Sequence, residues 1–287
     1  MIDLHTHTDE SDGTLSPGQL VRAAVDMGLE ALAVTDHDTF AGYDRAASPA
    51  RAAGLDLVCG IELSTKLRNP ATGYGKAVHV LGYFLDGVPT TEFRLWLGDM
   101  QQSRRDRNER LAERLESLGK PVALAEVEKL GRSIAGRPHF AKLMVEKGYV
   151  GSVQEAFEIY LGEGGKAYVE REEPGVAEGI RKIREAGGLA AVAHPIRLGR
   201  HPGVADRLIG EMRGFGLRGI EAYHSDHSRQ DVALFLELAR RLGMAVTGGT
   251  DFHGGAKPGI QLGTGINGNV AVPRSVLERL RGQGART

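Results

Sequence analysis

The chain has 287 residues, and 36 lysines and arginines against 37 aspartates and glutamates give it a net charge of −1. This balance argues against a protein that coats long double-stranded nucleic acid, because such a protein needs a basic surface. The single cysteine excludes an intramolecular disulfide, and the absence of a long apolar run or secretion signal leads us to expect a cytoplasmic protein without a membrane partner.

Short apolar runs alternate with amphipathic stretches along most of the chain. This rhythm is typical of βα units around a mostly parallel sheet. Seven strands are predicted, at residues 2–4, 31–35, 55–63, 78–83, 189–193, 219–223 and 245–247. An α/β barrel commonly takes about 250 residues, so the chain can hold one barrel and an insertion.

Helix boundaries are marked between these strands. Ser16, Pro17 and Gln19 form a capping-box signature, and Gly28 supplies the end of that helix. Ser228 with Asp231 predicts a second capped start, in a helix closed by Gly243.

The βα rhythm breaks at residues 90–162, where long helical periodicity replaces it. Trp96, Met100, Leu111 and Leu115 are the expected inward positions of the first helix there. We therefore predict a barrel domain, residues 1–89 and 163–287, and a helical insertion, residues 90–162, that caps the barrel mouth.

Imidazoles and acids recur where the predicted strands stop. His5 and His7 follow the first strand at a spacing that points both rings to one face. One histidine alone is more often structural than a ligand, but strand ends in a barrel converge on one mouth. The whole set consists of His5, His7, His37, His79, His194, His253, Asp12, Glu62 and Asp251.

This set predicts a metal centre, since six neutral imidazoles and three carboxylates exceed what one or two ions need. We expect three divalent ions, whose charge of +6 against −3 suits a phosphate dianion. Nitrogen and oxygen donors without thiolate favour manganese, with zinc or iron as alternatives, over calcium.

The ordered motifs of the chain resemble those of the PHP (polymerase and histidinol phosphatase) family. They are DLHTHT at 3–8, SDG at 11–13, TDHD at 35–38, GIE at 60–62, HVLGY at 79–83, AHP at 193–195 and GTDFH at 249–253. The resemblance implies an α/β fold, a distorted (β/α)7 TIM-like barrel, with a trinuclear metal centre. In that centre His5, His7, Glu62 and Asp251 would hold the first metal. Glu62 would bridge to the second, held also by His79 and His194, and Asp12, His37 and His253 would hold the third.

The chain is most similar to the branch that contains 3′,5′-nucleoside bisphosphate phosphatases and 5′ to 3′ exoribonucleases. SDGTLSP at 11–17, RPHFA at 137–141 and HPIR at 194–197 carry this similarity. It implies hydrolysis of the 3′-phosphate of a small bisphosphonucleotide, and trimming of short 5′-phosphorylated oligoribonucleotides as a further activity. Alternatives are a histidinol phosphatase or another small-molecule phosphomonoesterase, and a non-catalytic, metal-holding accessory module. Asp12 departs from the histidine usual in histidinol phosphatases.

Roles follow for individual residues. We expect cations to activate a water whose proton Asp251 accepts, while His194 or His227 protonates the leaving oxygen. A planar guanidinium binds phosphate bidentately, so the predicted phosphate ligands are Arg137, Arg197 and Arg200, with His139, His224 and Lys166 as weaker candidates. His201 is expected at the surface, residues 104–110 read as a solvated helix face, and residues 162–166 as a turn. No obligate protein partner is implied.

Overall fold

All seven predicted strands form one sheet in a computed structural model, which describes residues 1–68, 75–199 and 202–284. The strands neighbour one another in chain order. They are β1 Ile2–Thr6, β2 Ala31–Val34, β3 Asp56–Arg68, β4 Gly75–Phe84, β5 Leu189–Val192, β6 Gly219–Tyr223 and β7 Ala245–Gly248. Buried Val, Ile, Leu and Ala side chains dominate the short strands, as expected for strands covered on both faces.

The sheet is mostly parallel, and β4 is its exception. β4 runs antiparallel to both β3 and β5, whereas the other neighbours are parallel. Only residues 69–74 separate β3 from β4, and a connection this short cannot carry a parallel crossover.

The sheet curls until the chain beyond β7 meets β1. The Asp251 N–H donates to the His5 carbonyl at 2.9 Å, and the His7 N–H donates to the Phe252 carbonyl at 2.9 Å. These bonds bring the two edges of the sheet together beside His5, in β1, and His7, one residue past its end, a pair called the β1 histidines below. The predicted TIM-like barrel architecture is confirmed.

The helices lie between and around the strands. They are α1 Pro17–Asp26, α2 Ala41–Ala53, α3 Thr91–Ser117, α4 Leu124–Gly131, α5 Arg137–Glu146, α6 Val153–Ala156, α7 Val176–Glu185, α8 Pro202–Gly214, α9 Arg229–Leu242 and α10 Arg274–Gly284. Short turns of other helix types cover Phe157–Leu161, Pro195–Leu198 and Gly254–Ala256. No helix in the described ranges is long and apolar enough to span a bilayer.

Local signals set the predicted helix ends. The Ser16 hydroxyl accepts from the Gln19 N–H at 3.4 Å, and the Gln19 side chain accepts from the Ser16 N–H at 2.9 Å. Ser228 caps α9 in the same way, and Gly243 ends that helix at φ 62°. Each of these signals lies within one turn of the helix, which explains why the sequence predicts them correctly.

Residues 90–162, all of which the structure describes, form helices and no strand, as predicted. The first part of α3 packs Leu97 and Met100 into the barrel core. Its second part packs Leu111 and Leu115 into a separate apolar cluster, which also reaches Val169. Trp96 is only partly buried against the barrel core. The separate cluster supports a distinct insertion, whose boundaries at 90 and 162 stay a prediction.

Candidate metal centre

Four predicted ligands converge at the end of β1. The Glu62 Oε2 atom lies 3.2 Å from His5 Nε2 and 3.1 Å from His7 Nε2. Asp251 Oδ1 lies 3.5 Å and 3.4 Å from the same two nitrogens. One atom from each of the four side chains therefore faces a common point.

The two oxygens of Glu62 face different groups. Oε2 faces the β1 histidines and His37 Nδ1, which is 3.4 Å away. Oε1 lies 2.7 Å from His79 Nδ1 and 2.8 Å from His194 Nε2. A carboxylate with ligand nitrogens on both sides is placed to bridge two cations.

A third group forms around Asp12. Its Oδ1 lies 3.2 Å from His253 Nε2, and its Oδ2 lies 3.8 Å from His37 Nε2. His7 belongs to this group as well as to the first, with Nδ1 3.6 Å from Asp12 Oδ1. The structure thus brings all nine predicted ligands together at one mouth.

The antiparallel course of β4 explains how a mid-strand histidine reaches this mouth. Glu62 pairs with Leu81, and Ser64 pairs with His79, so His79 is the diagonal neighbour of Glu62 on the same face of the sheet. β3 has 13 residues and extends well past β2, which has 4. A hairpin that overhangs the barrel rim therefore supplies two of the predicted ligands.

Two of the predicted ligands have a left-handed backbone conformation. His194 has φ 30° and Asp251 has φ 58°, a region that side chains other than glycine rarely adopt. Such conformations cost of order 1 kcal/mol or more and persist where surrounding contacts impose them. Gly249 is required by the same crowding, since a Cβ there would collide with the backbone nitrogen of His5.

The donor atoms fit divalent cations. Among the described residues, the Nε2 atoms of His5 and His7 and Nδ1 of His37 are buried without a hydrogen-bond partner. Burial lowers the pKa of His37 to about 4 and that of His194 to about 3, so both rings are neutral and can act as ligands. Buried ring nitrogens without a hydrogen-bond partner need one, and a metal cation can supply it.

The carboxylates of the cluster are ionised. Burial opposes ionisation of Glu62, but the imidazoles of His37, His79 and His5 hold its pKa well below the usual value. His7 shows the reverse effect: burial disfavours its charged form, yet contacts with Asp251 and Glu62 raise its pKa to about 9. Protons and cations therefore compete for the same positions.

Comparison with known proteins agrees with this geometry. The PHP domain family matches residues 3–174. The chain belongs to the PHP family. It is 32% identical to a 5′-3′ exoribonuclease of Haemophilus influenzae, over 88% of this chain and 89% of that protein. It is 29% identical to a 3′,5′-nucleoside bisphosphate phosphatase of Chromobacterium violaceum, over 91% of this chain and 90% of that protein.

A solved structure shares the PHP fold over nearly the whole chain. The protein, from Bifidobacterium adolescentis and assigned as a metal-dependent phosphoesterase, matches with a TM-score of 0.82 and 30% identity. The match covers 98% of this chain and 96% of that one. Both the barrel and the helices of residues 90–162 are therefore part of the shared fold.

Three buried carboxylates lie behind the cluster of nine predicted ligands, which is called the PHP centre below, and they are absent from the predicted site. Asp3 accepts from the Thr250 N–H at 2.9 Å and its hydroxyl at 2.6 Å, which fixes the turn that carries Asp251. Asp36 accepts from the Ser11 hydroxyl at 2.6 Å, which fixes the turn that carries Asp12. Their place in the DLHTHT and TDHD motifs is the only sequence signal for them.

Glu221 is the third of these carboxylates, and it touches two predicted ligands. Its Oε1 lies 2.8 Å from His5 Nδ1, and its Oε2 accepts from the His194 N–H at 2.5 Å. The bond to Nδ1 assigns the proton of His5 to that atom and leaves Nε2 free for a cation. A lone acid inside the apolar strand GIEAY was the available signal.

Asp251 also faces cations that belong to the protein. Its Oδ2 lies 2.8 Å from Lys257 Nζ, 3.3 Å from Arg197 and 3.6 Å from His224 Nε2. Arg197, predicted as a phosphate ligand, is held there by Asp226 at 2.7 Å. Lys257 was not predicted, since nothing in its local sequence marks it.

The other predicted residues lie farther from the PHP centre. His227 packs its ring on Phe235 behind His224, with Nδ1 2.8 Å from the Ala222 carbonyl. His139 is buried and accepts the Gly136 N–H at 3.1 Å, where it caps α5. Lys166 stands in the predicted turn over the Tyr160 ring. Arg200 and His201 lie outside the described residues.

A cleft of about 420 Å³ opens beside the PHP centre. Asp12, His37 and His79 line one side of it. The remaining lining residues include five arginines, namely Arg104, Arg107, Arg137, Arg171 and Arg197. Its volume lies in the usual range for small-molecule sites. With Lys66, six cationic side chains line the cleft against the carboxylates of Asp12, Glu163 and Glu173, so its balance favours an anion.

The expectation that residues 104–110 form a solvated face is therefore wrong in part. Arg105 and Arg110 are exposed, and Arg105 pairs with Glu109 and Glu128. Arg107 is buried, and Arg104 is largely buried, on the face of α3 that meets the cleft. Mixed charges at helical spacing do not reveal which face another part of the chain will cover.

The stability that Asp38 gains from the arginines of the cleft should depend on pH. Asp38 contacts Arg104 and Arg171 and accepts the Ser64 N–H at 2.7 Å. Burial opposes its ionisation, but the two guanidinium groups lower its pKa to about 2. A pKa depressed from about 3.9 stabilises the fold above pH 4, and this contribution is lost as the pH falls towards 2.

We therefore expect Asp38→Asn to lower the free energy of unfolding at pH 7 by about 2 kcal/mol. The difference from wild type should shrink between pH 4 and pH 2 in urea denaturation. Asp44→Asn is the matched control, because Asp44 pairs with Arg94 at the surface and should cost less than about 1 kcal/mol. A difference that does not change with pH would contradict the assignment.

Proposed function

We propose that this PHP-family chain removes the 3′-phosphate from 3′,5′-bisphosphonucleotides. Trimming of short 5′-phosphorylated oligoribonucleotides is the second part of the proposal. The chain is a phosphoric ester hydrolase of its family, and the observation that supports the narrower substrate is the cleft. The cleft is lined by members of the histidine and carboxylate cluster and by five arginines. A substrate with two phosphates can therefore place one phosphate at the cluster and the other at the arginines.

Three divalent cations, with manganese as the first expectation, are part of the proposal. His5, His7, Glu62 and Asp251 would hold one, and Glu62, His79 and His194 a second. Asp12, His37 and His253 would hold the third. Such cations lower the pKa of bound water and neutralise charge on phosphoryl oxygens.

The remaining chemistry is assigned to side chains. Asp251 is the proposed proton acceptor, since it lies at the point where the β1 histidines and Glu62 converge. His194 turns Nε2 towards Glu62 and is neutral, which suits a ligand better than an acid. Lys257 and Arg197, both beside Asp251, would hold a phosphoryl oxygen of the substrate.

A substrate panel tests the function. Adenosine 3′,5′-bisphosphate, a short 5′-phosphorylated RNA and histidinol phosphate are compared with the purified chain in manganese. We expect kcat/KM for the bisphosphate to exceed that for histidinol phosphate by at least about 100-fold, equivalent to the roughly 3 kcal/mol of a charge-assisted contact. A preference for histidinol phosphate would support the small-molecule alternative, and faster RNA cleavage would make trimming the main activity.

Removal of metal is the second test. Treatment with EDTA should abolish phosphate release, and added manganese should restore it, because the buried donor atoms otherwise face one another without a cation. Elemental analysis before and after treatment gives the number of ions per chain. Bound metal without turnover on any phosphate ester would favour the accessory module.

A further inference from the structure

Arg107 is a buried guanidinium that lacks an ion-pair partner at close range among the described residues. Its side chain is 4% exposed, and its Nε donates to Asn108 Oδ1 at 3.1 Å. Asn108 is itself held by the Ala135 carbonyl at 3.0 Å. In the described ranges the Arg107 guanidinium forms no ion pair within 4.0 Å, and the neighbouring carboxylates of Asp38 and Glu173 contact Arg104 and Arg171 instead. A buried charge in this state costs several kcal/mol unless something pairs with it.

The surroundings of Arg107 increase this cost. Burial, and then the charges of Arg104, Arg137 and Arg171, hold the pKa of Arg107 well below its usual value, although the negative charge of Glu173 acts in the opposite direction. Arg104 is neutralised by Asp38, and Arg171 by Glu173 at 2.7 Å. Even so, Nη1 of Arg171 has no hydrogen-bond partner among the described residues and only the 3.5 Å contact with Asp38.

The arrangement is positioned for a ligand. Arg107, Arg137 and Arg171 line the cleft that also contains His37 and His79 of the PHP centre. Arg137 is held from two sides, since Nη1 donates to the Leu161 carbonyl at 3.3 Å and the guanidinium lies over the Tyr168 ring. Guanidinium groups fixed in this way are prepared for an oxyanion, because little side-chain freedom remains to be lost on binding.

We propose that Arg107, Arg137 and Arg171 form an anion subsite for the phosphate that is not cleaved, with Arg107 at its centre. Its assignment to the substrate's second phosphate rests on the proposed function, whereas the anion subsite itself does not. In a bisphosphonucleotide the occupant is the 5′-phosphate, and in an oligonucleotide it is the corresponding backbone or terminal phosphate. The subsite thereby selects substrates that carry a second phosphate.

Thermal unfolding of the full chain with inorganic phosphate tests the subsite without catalysis. EDTA is present, so that phosphate cannot act through bound metal. Phosphate at several times its Kd should raise the Tm of wild type by about 2–4 °C, because binding then adds about 1 kcal/mol to the stability. Arg107→Met should have a higher Tm than wild type without phosphate, because a buried unpaired charge is removed, and its phosphate shift should vanish.

Arg110→Met is the matched control, since Arg110 lies on the exposed face of the same helix. It should keep the phosphate shift of wild type. Arg107→Lys, which keeps the charge but not the fork, should keep part of the shift and covers the case in which the methionine variant does not fold. An undiminished shift in Arg107→Met, or no shift in wild type, would overturn the subsite.

Kinetics then test whether the subsite serves the substrate. With manganese, Arg107→Met should lower kcat/KM for adenosine 3′,5′-bisphosphate by about 10- to 100-fold, chiefly through KM. The loss on 4-nitrophenyl phosphate, which has no second phosphate, should be much smaller. Equal losses on both substrates would overturn second-phosphate recognition. Absence of bisphosphate turnover in wild type would instead count against the proposed function and leave the thermal result intact.

Discussion

Replacing Glu62 with glutamine is expected to lower kcat/KM by at least about 1000-fold, the scale seen when a transition-state electrostatic contact is removed. Both oxygens of this carboxylate are in use: Oε1 faces His79 and His194, and Oε2 faces the β1 histidines. Glutamine offers one oxygen and one N–H₂ group in their place, so one of the two proposed cations must lose its bridge.

The loss of the bridging carboxylate should lower the metal content of the protein, which can be measured without an activity assay. Elemental analysis of Glu62→Gln should find fewer manganese ions per chain than in wild type. Glu128→Gln is a suitable control, because Glu128 is a partly exposed partner of Arg105 away from the cluster. A Glu62→Gln protein that keeps its full metal content and activity within tenfold would refute the bridging role.

The convergence of the candidate ligands could be predicted because most of them stand at a landmark of the sequence. His5, His194 and Asp251 follow apolar runs that are recognisable as strands, and parallel strands bring their ends to one edge. The strained backbone at two of these positions was not visible, since it arises from contacts with distant segments. The residue types of a site are therefore easier to read than the conformation that holds them.

The cleft could not be predicted from the same information. Arg104 and Arg107 sit in a run of mixed charges whose local pattern is that of a solvated helix. Their burial depends on the chain at residues 164–173, which packs against α3 and places Arg171 on the same carboxylate, Asp38, that Arg104 contacts. Which face of a helix is covered is a property of tertiary packing, and helical periodicity alone does not contain it.

The carboxylates behind the PHP centre also depend on tertiary contacts that the sequence does not reveal. Glu221 reaches His5 because β6 pairs with β7 and the sheet curls until β7 approaches β1. That contact joins residues 216 positions apart. A buried acid in a short strand indicates that some partner exists, but only the register and curl of the sheet decide which histidine it meets.

Glu221→Gln is expected to weaken manganese binding by about 10- to 100-fold, the usual cost of losing a carboxylate behind a metal-ligating histidine. Burial opposes ionisation of Glu221, but His5 and then His224 keep its pKa below the usual value, so the group is a carboxylate. As an acceptor it holds the proton of His5 on Nδ1. The glutamine N–H₂ group would donate to Nδ1 instead and move the proton to Nε2, the atom that faces Glu62 and Asp251.

Thermal unfolding without metal separates a changed His5 tautomer in Glu221→Gln from a general loss of structure. The glutamine oxygen can still accept the His194 N–H, so the Tm without metal should change by no more than a few degrees. Activity should fall at limiting manganese and recover substantially at high manganese, because a cation can displace the misplaced proton. Glu221→Asp should retain the Nδ1 proton and lose less affinity. An unchanged manganese Kd in Glu221→Gln would show that the carboxylate does not position His5 for metal.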